Sequence, residues 1–173
     1  METLSSQLVY KGKVFNIRID EIREGELEYK REIVVHKGSA VIVPVFADGT
    51  VALVRQYRHA ASKYLLEIPA GTLNEGEDPI LGAIRELEEE IGVRAANVQK
   101  LTEFYVSPGF LTEKMHVFLA TGLTEVGQKL EADENLTIER HPFPALLAMI
   151  ENGEIVDAKT MLGIMLAAKG KDH

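Results

Sequence analysis

From Gly71 to Val93 the chain runs GTLNEGEDPILGAIRELEEEIGV, with glutamates at positions 86, 88, 89 and 90 directly behind Arg85. Carboxylates three and four residues apart on a helix repel each other by about 0.2–0.5 kcal/mol per pair. Near a helix C-terminus the macrodipole opposes them further. Such crowding asks for a positive partner, and a divalent cation, which takes oxygen ligands, is the leading candidate. With a turn of about 100° per residue, Ile80, Ile84 and Ile91 fall within about 60° of Leu87 and make a buried stripe. Glu86, Glu89 and Glu90 then share one flank, while Glu88 points to the other as a solvent residue. Gly82 lies one turn earlier on the flank of the three, where a missing side chain leaves room for a bulky ligand. Arg85 can pair with Glu89 at i,i+4, either as a surface salt bridge worth under ~1 kcal/mol or to orient a ligand carboxylate. On these residues alone a metal site and a solvated acidic face are equally good readings.

The helix carrying them starts at Asp78, a good N-cap, with Pro79 in the first helical position and Gly92 as its stop. Residues 8–36 have the alternation of two antiparallel strands joined around Gly25, either a surface hairpin or an element that dimerises or roofs a substrate. SAVIVPVF (39–46) is apolar enough for a strand buried on both faces, and Asp48-Gly49 is a hairpin signal leading into TVALVRQY (50–57). LLEIPAG (65–71) adds a short strand, NVQKLTEFYVSPG (97–109) and KMHVFLATGL (114–123) two more, and LTIERHP another. PALLAMIENG (144–153) and DAKTMLGIMLAAKG (157–170) are helical, the second capped by Asp157. Strands, one central helix, more strands and then helices predict a mixed α+β domain.

The 173 residues suit one domain, 46% of them are hydrophobic and none is cysteine, so thiolate metal sites and disulfides are excluded. No apolar run approaches the ~20 residues that span a bilayer, and METLSSQLVYKGK has no signal-peptide pattern, which makes the cytoplasm the expected compartment. A net charge of −8 argues against nonspecific nucleic-acid binding, though not against a small anion neutralised locally. The histidines at 36, 59, 116, 141 and 173 show no metal-ligand spacing. No D-x-D-x-D-G loop supports a calcium module.

Gly71, Glu77, Arg85, Glu86, Leu87, Glu89, Glu90, Gly92 and Val93 fill every fixed position of G-x5-E-x7-R-E-U-x-E-E-x-G-U, where U is a bulky aliphatic residue. The stretch thereby resembles the Nudix box. The resemblance implies a Nudix fold, an α/β/α sandwich, in residues 38–173, preceded by an N-terminal antiparallel β region in residues 1–37. It implies hydrolysis of a nucleoside diphosphate linked to another moiety, with Mg²⁺ or Mn²⁺ held by Glu86, Glu89, Glu90 and the carbonyl of Ala70.

Other stretches resemble the ADP-ribose pyrophosphatase branch of that family. LLEIPAG, containing Glu67, precedes the box as it does there, and Ser107-Pro108 stands at the branch's proline marker. ADEN (132–135) is similar to the loop with the catalytic glutamate, which maps to Glu134. The branch often has a second acidic residue two positions later, where this chain has Leu136, so either Glu134 serves alone, or Asp133 or Glu131 assists, or the base lies elsewhere. Arg55 and Arg58 resemble arginines that meet the diphosphate or terminal ribose, against the plain alternative of a solvated strand end, and Tyr57 could equally be core. The expected site therefore has Glu134, Glu90 and Arg85 in catalysis and Arg55, Arg58, Glu67, Ser107 and Pro108 on substrate. A homodimer is expected through the N-terminal region. SPG and GEIVDAKT (153–160) resemble GDP-mannose pyrophosphatases too, leaving that nucleotide sugar as the alternative substrate, and a non-hydrolysing nucleotide-sugar sensor as an alternative of another class.

Overall fold

The computed structural model describes residues 1–130 and 135–170, and its chain divides into two compact units. The first comprises Met1–Gly38 and Glu103–Met115. Three antiparallel strands, β1 (Glu2–Lys11), β2 (Asn16–Glu24) and β3 (Leu27–Val35), lie in that order. Gly25, at φ 64°, makes the expected turn between β2 and β3. Strand β1 goes beyond the predicted pair. All ten of its residues are exposed, so it has no buried alternation for the sequence to display. Leu111 pairs with Val34 of β3, and Thr112 donates from its backbone to the Val34 carbonyl at 2.9 Å.

The second unit comprises Ser39–Thr102 and His116–His173. One sheet has the order β7 (Ala70–Thr72), β4 (Ser39–Pro44), β9 (Lys114–Glu125), β8 (Val93–Tyr105); the 103–115 portions of β8 and β9 belong to the first unit. A second, antiparallel sheet has the order β10 (Leu136–Pro142), β5 (Thr50–Arg58), β6 (Lys63–Glu67). Every residue of β4 is buried, as its apolar run predicts. Its Ala40 and Ile42 join Ala52, Val54, Ala83, Leu87, Phe118 and Ala120 in one core. Val43, on the opposite face by strand alternation, meets Gly163 of α3 (Ala158–Lys169). So β4 is sandwiched between α1 (Pro79–Glu86) and α3, and α2 (Phe143–Glu151) packs on α3 and β10.

Asp48-Gly49 does form a tight turn, with Gly49 at φ 81° and Gly49 N–H donating to the Phe46 carbonyl at 2.9 Å. It does not form a simple hairpin. After one bridge, Val45 to Val51, β4 and β5 part into different sheets. Continuous burial on both faces gives each strand other partners than its neighbour in sequence. Among the described residues no helix is long and apolar enough to cross a membrane.

Candidate active site

Asp78 caps α1, its carboxylate accepting from Ile80 N–H at 3.1 Å, and Pro79 occupies the first turn. From Leu87 to Ile91 the helix widens into a π-turn before Gly92 ends it at φ 72°. Uniform rotation of 100° per residue therefore stops applying at the very residues that carry the glutamates. A π-turn shifts which backbone carbonyls find helical partners. Here the following loop supplies some: Lys129 N–H donates to the Glu89 carbonyl at 3.0 Å and Gln128 Nε2 to the Glu90 carbonyl at 2.5 Å. Val126 and Gly127 N–H donate to the Gly92 carbonyl at 2.8 and 3.1 Å.

With the changed winding, Arg85 joins two of the three expected carboxylates, Glu86 and Glu89, and the third, Glu90, reaches β7. Glu86 and Glu90 are 6% and 3% exposed, as charged groups seldom are without partners. Arg85 Nη1 donates to Glu86 at 2.7 Å and to Glu89 at 3.0 Å, the latter being the expected i,i+4 pair. Its Nε and Nη2 donate to Glu77 at 3.1 and 3.2 Å. These bonds, Glu77's first, push the guanidinium further above its ordinary value. The same bonds, with Asn74 N–H, hold the Glu77 carboxyl below its usual range. Glu77 was visible in sequence only as a box position; its work is to anchor Arg85. Glu90 accepts from Ala70 N–H at 3.3 Å, which brings the end of the helix to β7. Glu88 turns away to Arg94, with bonds of 2.8 and 3.3 Å, as a residue outside the group should.

Two glycines explain the spacing. A Cβ on Gly71 would lie 1.7 Å from Glu86 Oε1, so only glycine lets that carboxylate settle against β7. Gly82 does not clear space for a ligand as expected. A Cβ there would meet Leu73 Cδ2 at 2.6 Å, so the position admits a core leucine.

The substrate-side residues separate. Arg55 and Arg58 are three residues apart on β5 and so face opposite ways. Arg58 follows Ala52 and Val54 on the face toward α1, and the charge of Glu90 reaches it. It grips Glu67 with two bonds of 2.7 Å. Glu67 is 1% exposed and also receives Lys159 Nζ, so it braces Arg58 and is already taken up. Burial pushes the Glu67 carboxyl up, but Arg58 and Lys159 outweigh it and hold it below its ordinary value. Arg55 pairs with Glu139 of β10 at 2.5 Å, on the other face. Ser107 and Pro108 belong to the first unit, where the Ser107 carbonyl accepts from Phe110 and Leu111 N–H. Tyr57 is exposed rather than core, edge-on to Tyr64 with ring centroids 5.3 Å apart. Glu134, Asp133 and Glu131 lie outside the described residues. Lys159, Asp157 and Glu139 were not singled out as site residues; Asp157 carried a capping signal, Asp157 and Lys159 lay within the GEIVDAKT resemblance, and Glu139 had no signal.

The donors fit a hard divalent cation, being carboxylate oxygens, buried on Glu86 and Glu90 and half-buried on Glu89, with a glycine-made cradle at Glu86. No three acidic or imidazole groups among the described residues already surround one point, and Arg85 holds two of the carboxylates.

The NUDIX domain family model matches residues 36–161. This chain is a Nudix hydrolase. It is 38% identical to the ADP-ribose pyrophosphatase of Bacillus subtilis (strain 168) over 167 residues, covering 94% of this chain and 90% of that one. It is 37% identical over 160 residues to a GDP-mannose pyrophosphatase of Escherichia coli O1:K1 / APEC, covering 85% and 83%. Among solved structures, one described as an ADP compounds hydrolase superposes with a TM-score of 0.83 at 22% identity, over 97% of this chain and 92% of that chain. That likeness establishes the fold, a Nudix α/β/α sandwich.

Proposed function

We propose that this Nudix hydrolase cleaves the diphosphate of ADP-ribose, adding water across the anhydride to give AMP and ribose 5-phosphate. The carrying observation is the placement of Glu86, Glu89 and Glu90: Arg85 bonds the first two, Gly71 admits Glu86, and Ala70 N–H of β7 donates to Glu90. Similarity to the B. subtilis enzyme over 94% of the chain supports the substrate. Glu86, Glu89, Glu90 and the Ala70 carbonyl would hold Mg²⁺ or Mn²⁺. When bound, such a cation supplies neutralisation of the diphosphate and water of lowered pKa. Arg85 keeps the carboxylates in place. Arg58, anchored by Glu67, offers its remaining edge to the diphosphate. Glu134 is the group we assign to orient the attacking water and take its proton. Its position five residues after Lys129, which is bonded to the glutamate turn, supports that role. Ser107 and Pro108 are assigned to substrate binding, as is Arg55 once released from Glu139.

The reading includes a cytoplasmic homodimer. The first unit exposes Leu8, Val9, Tyr10, Val14, Phe15, Tyr105 and Phe110, apolar side chains that a second copy would cover. Sedimentation at micromolar concentration should give the mass of two chains, and a monomer would remove this part.

GDP-mannose is the second reading, favoured by the E. coli relative, and a non-hydrolysing sensor the third. Product release from ADP-ribose, GDP-mannose, NADH and diadenosine polyphosphates, with and without Mg²⁺, separates them. We expect ADP-ribose to be turned over fastest and only with the metal. Tight binding of one compound without turnover of any would favour the sensor.

A further inference from the structure

Four charged side chains of the second unit alternate in sign from the start of α3 to the glutamate turn. Asp157 caps α3, its Oδ2 accepting from Thr160 N–H at 3.0 Å and from Thr160 Oγ1 at 2.5 Å. The same oxygen lies 3.0 Å from Lys159 Nζ. Lys159 donates to Glu67 Oε2, and Glu67 takes the Arg58 fork on both oxygens. Arg58 ends the series, its side chain 40% exposed and within the field of Glu90. Thr160 Oγ1 in turn accepts from Ile68 N–H at 2.9 Å, pinning the strand end that follows Glu67. A lysine as buried as Lys159 is expensive to keep unless it has such partners.

We propose that Lys159 is a positioning residue for the diphosphate, acting through Glu67 on Arg58. Its charge satisfies the buried Glu67 jointly with Arg58, so that Arg58 keeps attraction to spare for an incoming anion. A guanidinium left alone against Glu67 would be drawn more tightly to it and offer less to a ligand. The start of α3, which contributes no residue to the Nudix box, thereby sets the strength of the anion site. The inference rests on the reading that this site takes a diphosphate.

The test is calorimetric titration of the full chain with inorganic diphosphate in Mg²⁺ buffer, with melting temperatures recorded beside it. Lys159→Met should weaken binding about tenfold, the loss of one charge-assisted bond's effect. Arg58→Gln should weaken it at least as much, and the double variant should be no weaker than Arg58→Gln alone. Lys159→Arg should recover most of the affinity. Asp157→Asn, which keeps a capping side chain, leaves more of the Lys159 charge on Glu67, so it should strengthen binding about threefold by the same route, and it serves where Lys159→Met fails to fold. Wild-type affinity in Lys159→Met or Asp157→Asn, additive losses in the double variant, or no binding by the parent chain would each overturn the inference. Diphosphate binding with this coupling, but no turnover of any nucleotide sugar, would sustain it while defeating the proposed function.

Discussion

At the scale of single residues, carboxylate placement decides function, and two substitutions separate placement from stability. Gly71→Ala puts a Cβ where the Glu86 carboxylate sits. The obstructed atoms are the far end of a flexible side chain, so the fold should absorb the change while the carboxylate moves. Turnover should fall about 10- to 100-fold, the range seen when support around a metal ligand is lost, with a melting temperature within a few degrees of the parent. A parent-like rate would mean that Glu86 need not lie against β7. The glutamates make the complementary case. Glu90→Gln should lose nearly all turnover at saturating Mg²⁺ and remain folded. Glu88→Gln breaks only a pair with Arg94 on the protein surface, so steady-state rates should stay close to the parent's. A large loss at Glu88 would show that the π-turn presents a different set of carboxylates from the one described.

At the scale of elements, α3 lies so close to the sheet that one position carries the fit. A Cβ on Gly163 would lie 2.7 Å from Ile68 Cδ1 and 3.1 Å from Val43 Cγ2, both side chains fully buried. Replacing a helical glycine with alanine gains about 1 kcal/mol of helix propensity, but overpacking a filled core costs about 1–3 kcal/mol. Gly163→Ala should therefore lower the melting temperature despite its better propensity, and a rise would mean that α3 can step back from β4. What the sequence could disclose follows the same division between local and long-range causes. Asp78, Pro79, Gly92 and Asp157 act on their own neighbours, so both helix limits were legible. Strand β4 was legible because its burial on both faces leaves an unbroken apolar run. The parting of β4 and β5 was not, since Asp48-Gly49 describes a turn and not the sheets its arms enter. The π-turn was hidden because its stabilising donors, Gln128 and Lys129, come from a distant loop. Lys159 was hidden for a like reason, its partner Glu67 being 92 residues away in sequence. The opposite facing of Arg55 and Arg58 was the legible fact passed over: an odd spacing on one strand suffices to derive it.

At the scale of the whole molecule, the ionic groups predict how stability responds to acid. Glu77, Glu88 and Glu139 are held below the ordinary glutamate value of 4.5 by Arg85, Arg94 and Arg55, and Glu67 is held below it against its own burial. A carboxylate whose folded value is depressed adds stability that is fully present above its unfolded value. That stability is lost as pH falls through the folded value. Melting temperature should thus be level with respect to these groups near pH 7 and decline below about pH 4.5. Salt distinguishes the contributors. Glu77, Glu88 and Glu139 form pairs reached by solvent, which ions screen, whereas the Glu67 pair is shielded. Raising the salt to about 1 M, where the Debye length is about 3 Å, should flatten part of the decline and leave the part due to Glu67. Glu67→Gln should remove that salt-resistant part. It should also lower stability at neutral pH, because Arg58 and Lys159 then face each other across a neutral amide. Identical high-salt profiles for Glu67→Gln and the parent would place the acid sensitivity in the solvent-reached pairs instead and remove Glu67 as the ionic anchor of the second unit.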